Sequence, residues 1–199
     1  MAGLEQYVKS QFERIFSTPD WRLYKEMAEV SFSEAAFLKK RDFNKVAEQK
    51  KLLVRNSRKR LLIGIGAELL LKAIYLKTGY CINTPKNGKS QLKFPFKAAE
   101  AKGVSLDGAN TYMLNKLIDH LTRIITLRQP AVVAEGLKIA KVFRNKEGHV
   151  VTPSHRFDPR SFRAIEKALV ALYADVFGER LTVRFSLEPR ERAAWTIEQ

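Results

Sequence analysis

Apolar residues recur at helical spacing through most of the chain, and this pattern predicts a mainly α-helical fold. Turn formers and polar stretches separate the helical segments from one another. Asp20 precedes one segment as a candidate N-cap, and Gly79 and Gly178 follow two others as candidate helix ends. The predicted helices cover residues 3–16, 21–40, 44–76, 111–127, 130–143 and 159–176.

The third predicted helix changes character along its length. Its first half is polar and basic, whereas its second half is rich in leucine and isoleucine. Such a helix either projects beyond the core at its basic end or bends near Asn56 and Ser57.

Two regions carry strand signals instead. Residues 80–83 and 91–94 flank the turn-forming pair Asn87 and Gly88, which predicts a small hairpin. Residues 181–187 alternate strictly between apolar and polar, as a half-buried strand does. The hairpin, a second copy of the chain and another protein are all candidate partners for this strand. We therefore expect a helical domain over residues 1–178, with a basic insert, followed by a short strand and polar tail over 179–199.

The charge balance favours a polyanionic partner. The chain has 36 Lys and Arg residues against 21 Asp and Glu residues, so its net charge is +15. The positive residues are dense over residues 39–60 and again over 86–102, where they form either a nucleic-acid contact surface or a solvated face. The candidate RNA-binding residues are Lys50, Lys51, Arg55, Arg58, Lys59, Arg60, Lys86, Lys89 and Lys93.

The stretch from Arg144 to His149 is the most informative for chemistry. It closes an apolar helix, and on an unbroken helix these two side chains would lie about 140° apart around the axis. Gly148 can adopt the left-handed conformation that ends a helix, which would let His149 turn back toward Arg144. The alternative is an Arg and a His that merely stabilise a helix C-terminus.

This pair suits cleavage of an RNA phosphodiester. A histidine transfers protons near neutral pH, as attack by the 2′-hydroxyl and departure of the 5′-oxygen require. An arginine stays charged and offers a fork of donors to phosphate oxygens in the transition state. Asn145 is a third candidate, for orienting the histidine or holding a phosphate oxygen.

The sequence R-N-x-x-x-H at Arg144, Asn145 and His149, near the end of a helical domain, resembles the signature of the HEPN superfamily. Glu68 to Ala73, which reads Glu-Leu-Leu-Leu-Lys-Ala, is similar to a stretch on an earlier helix of that family. The resemblance covers roughly residues 20–178 and implies an up-and-down helical bundle. It further implies a metal-independent endoribonuclease of toxin–antitoxin or phage-defence systems, which works as a homodimer that an antitoxin or other regulatory protein can bind.

Within that interpretation Glu68 is a candidate supporting residue. It would pair with Arg144 or another Arg, in a role that is either structural or catalytic. We expect no cofactor and no metal, because the sequence contains no defensible ligand cluster. We also expect a cytoplasmic protein without a membrane span. The alternative function is a non-catalytic RNA-binding or protein-interaction module on the same fold.

Overall fold

The computed structural model describes residues 3–16, 20–39, 45, 47–86, 92–147, 159–185 and 194–198. Six α-helices lie within these ranges, so the prediction of a mainly helical chain is confirmed. They are α1 (Leu4–Phe16), α2 (Trp21–Phe37), α3 (Glu48–Lys77), α4 (Leu114–Ile124), α5 (Pro130–Glu147) and α6 (Pro159–Leu172). A 3₁₀ turn (Ala98–Ala101) precedes α4, and α6 continues into a π-helical turn (Tyr173–Phe177).

Helix α3 lies at the centre of the molecule. It packs against α2 on one side and against α5 on the other, and α5 in turn packs against α6. Buried residues at helical spacing on these four helices form one apolar core, as the sequence pattern predicts. Its members include Ala28, Phe32, Ile63, Leu70, Ile74, Val133, Leu137, Ala140, Phe143, Ile165 and Leu169.

Several predicted helix ends are confirmed. The Asp20 side chain accepts a hydrogen bond of 2.9 Å from the backbone N–H of Arg22 and so caps α2. Gly79, with φ of +83°, follows the end of α3, and Gly178, with φ of +70°, ends the π-helical turn. These left-handed conformations cost glycine little, which explains its presence at both positions.

The expectation that the basic half of α3 projects beyond the core is wrong from Arg55 onward, whereas the bend near Asn56 and Ser57 stays a prediction. The helix runs unbroken for 30 residues through Asn56 and Ser57. Arg55, Lys59 and Arg60 are buried, so from Arg55 onward this half packs against the rest of the molecule and does not project from it. The hydrophobic periodicity does not predict this burial, because it treats positions with charged side chains as exposed to solvent.

Neither strand of the predicted hairpin lies where the sequence placed it, since β1 overlaps the predicted residues 80–83 only at Asn83. Strand β1 (Asn83–Pro85) pairs antiparallel with β2 (Leu106–Thr111), with Asn83 opposite Thr111. Residues 92–94 lie outside any strand, and 87–91 are outside the described residues. Strand β2 reads Leu-Asp-Gly-Ala-Asn-Thr, which contains three poor strand formers and no alternation.

The C-terminal strand pairs with the tail of its own chain. Strand β3 (Arg180–Val183) is antiparallel to β4 (Trp195–Glu198), with Leu181 opposite Ile197. The partners considered from the sequence were the hairpin, a second copy of the chain and another protein. For residues 180–183 all three were wrong, because β4 of the same chain is the partner. Leu181, Val183 and Phe185 are buried in the same core as the helices, so this hairpin covers the helical layer. Residues 186–193 lie outside the described residues.

Candidate functional site

The last turn of α5 carries two of the three predicted catalytic residues. Val133, Leu137, Ala140 and Phe143 form the buried face of α5 and fix its orientation on the core. Arg144 follows Phe143 and is partly exposed, and Asn145 is exposed. Gly148 and His149 lie outside the described residues, so the predicted turn of His149 toward Arg144 stays a prediction.

Gly64 brings α3 and α5 unusually close at Arg144. A Cβ atom at position 64 would lie 2.5 Å from the Arg144 Cβ atom and 2.6 Å from its backbone nitrogen, closer than van der Waals contact allows. Gly66 has the same role toward α2, where an added Cβ would lie 2.7 Å from the ring of Phe32. Gly64 and Gly66 lie inside a helical pattern with no preceding strand, which predicts close helix packing and not a nucleotide-binding loop. The two contacts confirm this prediction.

Arg144 is held by a carboxylate on α3. Its Nε atom donates a hydrogen bond of 2.6 Å to Glu68 Oε2, and Lys72 Nζ lies 3.0 Å from Glu68 Oε1. The Glu68 side chain is only 15% exposed, whereas that of Arg144 is 43% exposed. Of the partners considered for Glu68, Arg144 and another Arg, the geometry shows Arg144.

This pairing leaves part of the guanidinium available. The carboxylate engages the Nε edge, and the terminal nitrogens of Arg144 have no hydrogen-bond partner among the described residues. A guanidinium oriented from one edge and exposed at the other can present donors to a phosphate oxygen.

Glu147 is a residue of the motif whose role the sequence did not suggest. Its carboxylate accepts 2.5 Å hydrogen bonds from Ser57 Oγ and Arg60 Nε. The Arg60 and Glu147 side chains are 1% and 2% exposed. The C-terminal end of α5 is therefore locked onto α3 immediately before Gly148 and His149 in sequence. The sequence did contain a signal for this pairing. Glu147 lies at the end of an apolar helix, and a carboxylate that becomes buried there needs a partner.

A cleft of about 450 Å³ opens beside Arg144. One wall is α5, and the other is the connection from β2 to α4. Burial raises the pKa of the Tyr112 phenol in this connection above its usual value, so the group stays neutral. The lining residues are Glu68, Asn110, Thr111, Tyr112, Met113, Leu114, Asn115, Lys141, Arg144 and Asn145.

The candidate RNA-binding residues on α3 are only partly exposed. Lys50 and Arg58 face solvent, and Lys51 is paired with Glu48 at 2.7 Å. Placing Arg55, Lys59 and Arg60 on the same exposed surface was wrong, because all three are buried. In the insert, Lys86 and Lys93 are exposed, and Lys89 lies outside the described residues.

The helices and side chains show two further features. Within the described ranges, no group of three or more His, Cys, Asp or Glu side chains is arranged to hold a metal ion. None of the helices in those ranges is both long and apolar enough to cross a membrane.

Comparison of the chain with family models, with curated proteins and with solved structures finds no match. The fold and the site therefore define the class by themselves. It is a mainly helical protein with small antiparallel sheets and a polar cleft, in which an oriented arginine sits at the C-terminal end of a core helix.

Proposed function

We propose that the chain is a metal-independent endoribonuclease of HEPN type that uses Arg144 and His149. The observation that carries the proposal is the Arg144 side chain, which Glu68 holds through Nε and which is 43% exposed and lines a polar cleft. Arg144 would hold a nonbridging phosphate oxygen and stabilise the charge that grows on it in the transition state. Asn145, exposed on the same helix turn, would support His149 or the phosphate.

The reaction that fits these residues is transesterification. The 2′-hydroxyl oxygen bonds to phosphorus and loses its proton to a base, and the bond from phosphorus to the 5′-oxygen breaks as that oxygen gains a proton from an acid. The products are a 2′,3′-cyclic phosphate and a 5′-hydroxyl. His149 has the pKa range for either role. A homodimer with both motifs at one cleft would supply two such histidines.

The resemblance to the HEPN superfamily also supports a biological role for this activity. Toxin–antitoxin and phage-defence systems contain ribonucleases of this type, so an antitoxin or other regulatory protein is the protein partner we propose. The net charge of +15 supports RNA as the polyanion that the protein binds.

The test uses an RNA oligonucleotide and its copy with one 2′-deoxy nucleotide at the mapped cleavage position. Cleavage of the first in EDTA, with a cyclic phosphate end, and none at that position of the second is the expected result. Equal cleavage of both, or loss of cleavage with EDTA, would contradict the 2′-hydroxyl mechanism.

A second function is favoured by the same ion pair. Glu68 partly neutralises Arg144, as a purely structural pair would, and this fits a non-catalytic RNA-binding or protein-interaction module. Such a protein would bind the RNA oligonucleotide without cleaving it.

A further inference from the structure

The cleft beside Arg144 extends onto a segment that the motif does not include. Residues 110–115, which span the end of β2, its connection to α4 and the start of α4, form the wall opposite α5. Strand β1 pairs with β2 and so connects this wall to the segment around residues 83–85.

The α5 wall supplies positive charge. Lys141 and Arg144 lie one helical turn apart and both line the cleft. Lys141 has no ion-pair partner among the described residues, and the single charge of Glu68 is shared between Arg144 and Lys72. The balance at this wall is positive, which favours an anionic group such as a phosphate.

The cleft also contains amide side chains, which a phosphate alone would not need. Asn115 and Asn145 line it, both are exposed, and neither has a hydrogen-bond partner in the parts of the chain that the structure describes. The Asn110 amide differs, because it donates a 2.5 Å hydrogen bond to Asp107. An amide offers a donor and an acceptor in one plane, which matches the hydrogen-bonding edge of a nucleobase.

The wall opposite α5 is held in place. The backbone N–H of Tyr112 donates to the Ile82 carbonyl at 2.8 Å, and the Tyr112 ring packs on Phe94 with centroids 4.0 Å apart. Phe94 stacks in turn on the buried Tyr75 of α3 at 5.3 Å. A wall that is already ordered can discriminate between ligands, because no binding free energy is lost in ordering it.

The size of the cleft limits its occupant. A volume of about 450 Å³ falls within the range of small-molecule sites and suits one nucleotide, not a duplex. Unpaired bases are also the form in which proteins read RNA sequence through hydrogen bonds to base edges.

We propose that this cleft is a base-reading subsite for one unpaired ribonucleotide, with Lys141 and Arg144 on its phosphate and Asn115 on its base. The proposal rests on the proposed function, because it identifies the nucleotide next to the scissile phosphate. Asn115 is thus a specificity-determining residue of the cleavage site.

The test measures binding of inorganic phosphate and of the four 3′-nucleoside monophosphates to the full chain, by calorimetry and by amide chemical shifts of residues 110–115. At least one nucleotide should bind tenfold or more tightly than inorganic phosphate and shift those amides. The four affinities should span about tenfold, as one good amide–base contact provides.

Matched variants assign the two walls. N115A should reduce the difference in affinity among the four nucleotides to less than about threefold while leaving the affinity for phosphate unchanged. K141A should lower the affinity for all four nucleotides and for phosphate by a similar factor. K138A, which removes an exposed lysine one turn earlier on α5, should change none of these affinities.

The outcomes separate this proposal from the proposed function. Nucleotides that bind no more tightly than phosphate, or an N115A variant that keeps the full spread, would overturn the subsite even if the protein cleaves RNA. Base-selective binding that N115A abolishes would support the subsite even if the wild-type protein cleaves no RNA, in which case only the nuclease proposal fails.

Discussion

Glu147 is a buried carboxylate whose partners, Ser57 and Arg60, both lie on α3. Removing one member of a buried pair leaves the other charge without its main compensation, which costs about 3–5 kcal/mol. We expect Glu147→Ala to lower the free energy of unfolding by about that amount, measured by urea denaturation. Glu135→Ala, at an exposed position of the same helix, is the control and should change it by less than about 0.5 kcal/mol.

A Glu147→Ala variant as stable as the Glu135→Ala control would contradict the buried pair. The pair also shows a limit of sequence interpretation at this scale. Arg60 looks like one more cation in a basic run, and only the packing of α5 against α3 shows that it compensates a carboxylate 87 positions away. The pairing of Glu68 with Arg144 was anticipated, because an acidic residue among leucines on a core helix needs a basic partner.

At the level of elements, the contact between α3 and α5 depends on Gly64. Alanine there would gain about 1 kcal/mol in helix propensity, but its Cβ would meet the backbone and Cβ of Arg144, which cannot rotate away. Overpacking of this kind costs about 1–3 kcal/mol. We therefore expect Gly64→Ala to lower the thermal midpoint and to displace Arg144, so that RNA cleavage falls at temperatures where the variant is still folded.

Gly66→Ala is the matched control for that change. It would press on the Phe32 ring of α2, not on Arg144. We expect a similar loss of stability without the loss of cleavage. If Gly64→Ala cleaves RNA as well as Gly66→Ala does, the close approach of α3 and α5 does not position the site.

The helices could be predicted from the sequence, whereas the strand pairing could not. Helical periodicity is a local signal, and it placed α2, α5 and α6 within a few residues of their observed bounds. Strand β2 has no such signal. Strand β4 does alternate, with Trp195 and Ile197 half-buried against exposed Thr196 and Glu198, but four residues after a polar stretch are too few to stand out. Which strands pair depends on tertiary contacts that no local pattern contains.

The site divides in the same way. The motif pointed to Arg144 and Asn145, which both line the cleft, and the helical pattern around Gly64 predicted its packing role. The cleft could not be predicted, because its second wall comes from residues 110–115, which contain no functional motif. The burial of Arg55 and Lys59 was not predicted, because charged side chains were expected to lie on the surface.

For the whole molecule, RNA binding should depend on exposed cations alone. Arg58 is exposed on α3, so Arg58→Ala should weaken RNA binding and reduce the slope of log affinity against log salt by about 0.7, as loss of one phosphate contact on a single strand predicts. Arg180→Ala, also exposed but on the C-terminal hairpin, is the control. Fluorescence titrations at several salt concentrations measure both, and equal slopes for the two variants would show that the α3 surface is only solvated.

The proposed two-motif cleft requires a dimer in solution. Light scattering at working concentration should give about twice the chain mass of 22.8 kDa. A monomeric protein that still cleaves RNA would exclude a cleft shared between two copies and would leave one His149 to perform both proton transfers.

The central claim is that Arg144 and His149 carry out the chemistry, and cleavage rates of the two alanine variants test it most directly. The measurement is single-turnover cleavage of one RNA in EDTA by wild type, Arg144→Ala, His149→Ala and the Lys138→Ala control. We predict a loss of about 10²-fold or more for each of the first two variants and none for the control. The Arg144→Ala variant should stay folded, since Lys72 continues to pair with Glu68. Cleavage by His149→Ala or Arg144→Ala at the wild-type rate would contradict the account.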